Sequence, residues 1–85
     1  MIRFERRLRG VPLWLLREYL QELGGWPEGE NTVRADGWQA KFSQGEDFVL
    51  GSLRVGQVHL EVESTPEAWV SLQPALERKL LRAGG

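Results

Sequence analysis

Residues 32–43 read Thr-Val-Arg-Ala-Asp-Gly-Trp-Gln-Ala-Lys-Phe-Ser, and the Asp36-Gly37 pair at their centre is the strongest short-range hairpin signal in the chain. A two-residue turn there pairs Ala35 with Trp38 and Val33 with Ala40. Because side chains alternate along a strand, Val33, Ala35, Trp38, Ala40 and Phe42 then share one face, and Arg34, Gln39, Lys41 and Ser43 share the other. One apolar and one polar face is the pattern of an antiparallel sheet covered on one side only.

Working outward, residues 2–9 (Ile-Arg-Phe-Glu-Arg-Arg-Leu-Arg) alternate in the same way: Ile2, Phe4, Arg6 and Leu8 point inward, with Arg6 the exception in chemistry, and Arg3, Glu5, Arg7 and Arg9 point outward. Pro12 then opens a helix whose stripe is Leu13, Leu16, Leu20 and Leu23, widened by Leu15 and Tyr19, and Gly24-Gly25 closes it. Trp26 and Pro27 begin a loop. After the Gln44–Asp47 turn, a second turn at Val55-Gly56 is expected to direct Val49, Gly51, Leu53, Val58, Leu60 and Val62 to the core. That register leaves Phe48, Leu50, Arg54, Gln57, His59, Glu61 and Glu63 outside. A last helix opens at Ser64 or Thr65, with Pro66 in its first turn. Trp69, Leu72, Leu76, Leu80 and Ala83 keep one helical phase through Pro74, which falls on the opposite side, so the segment is one bent helix or two short ones.

The element order is β-α-β-β-β-β-α. It predicts a two-layer α+β domain over residues 1–85, a mostly antiparallel four- or five-stranded sheet with two helices on one face. In this order the chain resembles the half-repeat of TATA-binding protein. The resemblance is one of topology and implies a shape, not an activity.

Composition narrows the setting. Eighty-five residues bury only roughly 60 to 65% of their unfolded surface, enough for one core. Hydrophobic residues at 41% and charged residues at 27% are globular values, and no apolar run reaches the roughly 20 residues that span a bilayer. There is no cysteine, hence no disulfide framework or thiolate metal site, and the first residues lead into charged sequence; a cytoplasmic location and no membrane association are expected. Two lysines among 11 basic residues leave nine arginines, a bias that suits a GC-rich, heat-adapted bacterial source.

The chain ends Leu-Leu-Arg-Ala-Gly-Gly, and ubiquitin-like sulfur carriers resemble it in length and in that terminal Gly84-Gly85. Their fold runs two strands, a helix and further strands, and sends a strand into the tail. Here helical phase precedes the tail, and the first helix also ends in Gly-Gly within the chain, so the terminal pair reads as a helix cap or frayed end, with a Gly-Gly-tailed sulfur carrier as the less favoured alternative.

The outward sheet face is the remaining functional surface. Arg3, Arg7, Arg9, Arg34, Lys41 and Arg54 oppose Glu5, Glu61 and Glu63, segregating positive charge on a chain of net charge −1. Such a face suits an anionic ligand or a nucleic-acid backbone, but Phe48 is the one aromatic available for base stacking, and cross-strand pairing of Arg with Glu is the simpler use. Phe48 and Leu50 on a polar face point to an interface, self-association or a protein partner, with Arg54, His59, Arg7 and Arg9 around them; a β-bulge returning Phe48 to the core is the alternative. Trp14 lies off the first helix's stripe and is expected to pack on Trp26 and Pro27. His59, Glu61 and Glu63 alternate on one strand, a weak metal-ligating pattern that needs ligands from elsewhere. A His59 base with Arg54 holding an anion is the one catalytic pair to consider. No nucleophilic cysteine, glycine-rich phosphate loop or Gly-x-Ser-x-Gly elbow is present, and no cofactor is expected. The expected role is non-catalytic association across the open face.

Overall fold

The computed structural model describes residues 1–82. Seven strands and two helices follow in the order β1 (Ile2–Arg9), α1 (Leu13–Glu22), β2 (Trp26–Pro27), β3 (Thr32–Ala35), β4 (Trp38–Gln44), β5 (Phe48–Leu50), β6 (Leu53–Val55), β7 (Gln57–Ser64) and α2 (Pro66–Arg82). Five of the strands form one antiparallel sheet in the order β1-β7-β4-β3-β2, and β5 pairs only with β6. Both helices pack on one face, so the domain is the expected two-layer α+β fold.

The Asp36-Gly37 hairpin has the expected register, with Val33 opposite Ala40 and Ala35 opposite Trp38. Val33, Trp38, Ala40 and Phe42 join Leu8, Val58, Leu60 and Val62 in the core, under Leu16 and Leu20 of α1 and Leu72, Leu76 and Leu80 of α2. Arg6, the inward charge on β1, is neutralised by two hydrogen bonds donated to Glu77 of α2, at 2.6 and 3.0 Å, while its guanidinium lies 4.9 Å from the Phe4 ring centre. Phe4 in turn meets Trp69 with ring centroids 5.4 Å apart.

Helix ends follow local chemistry. At the end of α1 the Gly24 N–H donates to the Gln21 carbonyl and the Gly25 N–H to the Leu20 carbonyl, the paired bonds of a Schellman cap, with Gly24 at φ +103°. Gly25 is also pressed against the core: a Cβ there would collide with Val33 Cγ1. At the start of α2 the Ala68 N–H donates to Thr65 Oγ1 at 3.1 Å, so Thr65 is the N-cap. Pro74 sits exposed inside one continuous helix rather than between two. Ala83 and the Gly84-Gly85 tail lie outside the described residues.

The expected register of residues 48–55 is wrong, and with it the inward placement of Val49, Gly51 and Leu53. The chain reverses at Gly51-Ser52, where Leu50 pairs with Leu53 and Gly51 adopts φ +62°, a turn geometry that glycine favours. The resulting β5–β6 hairpin leaves the sheet, and β7 takes the position beside β4. Val49 and Leu53 are 54% and 59% exposed. Residues 26–27, expected as loop, form the short edge strand β2 against β3.

Candidate functional site

β7 lies between β1 and β4, so its outward side chains meet two rows of neighbours. Arg3 is opposite Glu63, Glu5 opposite Glu61, Arg7 opposite His59 and Arg9 opposite Gln57. On the other side Gln39, Lys41 and Ser43 of β4 face Glu63, Glu61 and His59. Where the hairpin departs from the sheet, an open groove of about 910 Å³ forms, lined by Arg7, Arg9, Gln57 and His59 on the sheet and by Glu46, Asp47, Phe48 and Val49 on the hairpin and its approach.

Four of the sequence-derived interface candidates, Arg7, Arg9, Phe48 and His59, therefore meet in one place. Phe48 is half-buried because the Arg9 guanidinium stacks 3.7 Å from its ring centre; it neither returns to the core nor stands free. Leu50, 67% exposed, sits at the hairpin turn away from the groove lining. Arg54 is on the same hairpin and approaches Asp47 at 3.9 Å. Trp14 is 63% exposed and Trp26 is exposed as well.

The basic face is divided by local pairing. Arg3 binds Glu5 at 3.3 Å and Glu61 at 3.4 Å, and Arg34 binds Glu28 at 3.1 Å. Arg7, Arg9 and Lys41 have no ion-pair partner among the described residues. Two adjacent free arginines with Glu46 and Asp47 across the groove make a mixed-charge pocket, not a continuous track for a phosphate backbone.

The metal-ligating pattern also changes membership. Ligand atoms of Glu5, His59 and Glu61 lie within 4.8 Å of one another, whereas Glu63 is two positions further along β7, opposite Arg3, and outside the group. His59 Nε2 is buried without a hydrogen-bond partner and lies 3.4 Å from Glu61 Oε1. Arg3 donates to a carboxylate oxygen of each glutamate, at 3.3 and 3.4 Å, so one of the two negative charges of the group is already offset by the protein itself. Glu5 escaped sequence reasoning because its membership depends on β1 pairing with β7, some 50 residues away; the strict alternation of both strands was the available signal.

The model of the archaeal MoaD-like protein family matches residues 4–85, nearly the whole chain, from the third residue of β1 through α2 and on to the last residue. This chain belongs to the archaeal MoaD-like protein family. No curated protein matches it. The MoaD-like assignment is in keeping with a small α+β domain, and the matched span runs to Gly85, beyond the described residues, so it includes the terminal Gly-Gly. Among the described residues, no helix of this MoaD-like chain is long and apolar enough to cross a membrane.

Proposed function

We propose that this MoaD-like chain is a protein-interaction module whose β5–β6 hairpin docks on another protein, with the groove beside it as the polar rim. The observation that carries this reading is the hairpin itself. Val49, Leu50 and Leu53 are each more than half exposed on an element that pairs with no other strand among the described residues, Leu50 and Leu53 lie side by side on one face of it, and exposed apolar side chains grouped in this way mark interfaces. Arg7, Arg9 and His59 at its base supply the charged border that gives orientation and specificity around an apolar centre. Arg9 stacked on Phe48 ties the base of the hairpin to β1, which lowers the ordering cost of binding.

The test is site-specific photo-cross-linking in cells with a photoreactive residue at position 50 and, as control, at the exposed Gln73 of α2. A discrete adduct at position 50 that disappears with Leu53→Glu supports docking by the hairpin; equal labelling at both positions removes it. A second copy of the chain in the adduct identifies self-association as the mode.

A second reading is favoured by the family alone: the terminal Gly-Gly as a sulfur-carrier handle, since the matched span includes it. Its test is the intact mass of protein purified from its native host. Replacement of one carboxylate oxygen by sulfur at Gly85 supports the handle, and a free carboxylate under every growth condition sinks it.

A further inference from the structure

We infer that β1 is a self-association edge: two copies pair their β1 strands antiparallel about a two-fold axis at Phe4, joining two five-stranded sheets into one. This goes beyond the hairpin reading and is independent of it. β1 is the longest exposed edge of the sheet, eight residues, while the opposite edge, β2, has two and contains Pro27. An unpaired edge of this length is a ready template for another strand.

The direction of its free groups follows from the ladder. Gly10 donates to the Gly56 carbonyl at 2.9 Å, in the same register that pairs Ile2 with Ser64 through Arg9 with Gln57. Since hydrogen-bonded pairs alternate along an antiparallel ladder, the even-numbered residues of β1 bond to β7. The N–H and C=O groups of Arg3, Glu5, Arg7 and Arg9 therefore point to the open edge.

Charge selects the register. Continuing the sheet requires outward side chains to pair with outward ones, which leaves few two-fold registers. An axis at Glu5 places Glu5 against Glu5 and Arg3 against Arg7. One at Arg6 pairs Glu5 with Arg7 but sets Arg3 against Arg9, and one at Arg7 opposes Arg7 to itself. With the axis at Phe4, Arg3 faces Glu5 of the second copy twice over, and Arg7 faces Met1. In that register alone, every directly opposed charged pair on the open face is of opposite sign. Arg3 then bridges Glu61 of its own chain and Glu5 of the other. On the covered face the two Phe4 rings meet at the axis, each backed by Trp69. Arg6, an inward charge that could bar pairing, is bonded to Glu77. Pairing ends at Arg7, on the rim of the groove, so the β5–β6 hairpin stays free.

The experiment is mass by light scattering across a concentration series, with wild type, Arg3→Glu, Glu5→Arg, the double reversal, Arg3→Pro and Leu50→Glu. Arg3 and Glu5 are 63% and 48% exposed, and the Arg3 N–H points away from β7, so folded variants are expected; circular dichroism verifies it. The expected result is a wild-type dimer, roughly tenfold or more weaker in each single reversal, restored in the double reversal, absent in Arg3→Pro and unchanged in Leu50→Glu. In a chain without native cysteine, Phe4→Cys should cross-link to itself in a glutathione redox buffer and Arg7→Cys should not, because opposed residues at the axis fall within disulfide range. A wild-type monomer at every concentration overturns the inference. So does a dimer that Leu50→Glu splits and Arg3→Pro does not; that outcome assigns self-association to the hairpin. Failure of the double reversal to restore the dimer overturns the register.

Discussion

Residues 32–44 and 48–55 are both antiparallel hairpins closed by two-residue turns containing glycine, and they lie on opposite sides of the boundary between core and surface. In β3–β4, apolar and polar side chains alternate, so one face is apolar from Val33 to Phe42, and β4 pairs with both β3 and β7. In β5–β6, Phe48-Val49-Leu50 is apolar on both faces and each strand has three residues, so neither face can be buried without exposing the other. β7, with Val58, Leu60 and Val62 on one side, fits beside β4, and the shorter hairpin is expelled. Apolar content alone does not decide which hairpin enters a core; period and length do.

That contrast can be broken by substitution. The largest effect is expected in the core hairpin: Phe42→Ala, 2% exposed in the wild type, should cost about 3–5 kcal/mol in denaturant unfolding. A loss under about 1 kcal/mol would mean that β4 does not organise the core. Next, Gly25→Ala places a methyl group against Val33 and Trp38, and overpacking of about 1–3 kcal/mol is expected from the shift in urea midpoint; an unchanged midpoint would show that the helix-to-hairpin contact is loose. Removing the cap of α2 with Thr65→Ala should cost about 1 kcal/mol by the same measurement, whereas Thr65→Ser should be nearly neutral. The smallest effect belongs to the expelled hairpin: Leu50→Glu and Leu53→Glu should stay within about 0.5 kcal/mol of wild type. A large loss in either would place the hairpin in the cooperative core and remove the surface on which the docking reading rests.

The same contrast separates what could be read in advance. The Asp36-Gly37 register, the two helical stripes and the inward row of β7 were legible because each is a local period with a local stop signal. The Gly51-Ser52 turn was legible in principle too, as a glycine-first two-residue turn between apolar triplets, but the alternation of residues 57–63 favoured a reversal at Val55-Gly56 instead. Arg7, Arg9, Phe48 and His59 were each picked out as outward-facing, yet their meeting in one groove depends on the hairpin leaving the sheet. Glu5 was placed on the correct face and missed as a neighbour of His59, because nothing in residues 2–9 says which strand lies alongside.

The sequence by itself determined the two-layer α+β class, the antiparallel sheet with one covered face, the Gly24-Gly25 cap of α1 and the outward row of arginines and glutamates. These follow from the period of side-chain direction and from glycine and proline chemistry, which act over a few residues. Only the tertiary structure decided that β7 sits between β1 and β4, that Arg6 is held by Glu77, that Phe48 lies under Arg9, and that β1 has no strand on its outer side among the described residues. Those outcomes depend on which strands compete successfully for the same partner, and that competition is settled by burial summed over the whole core.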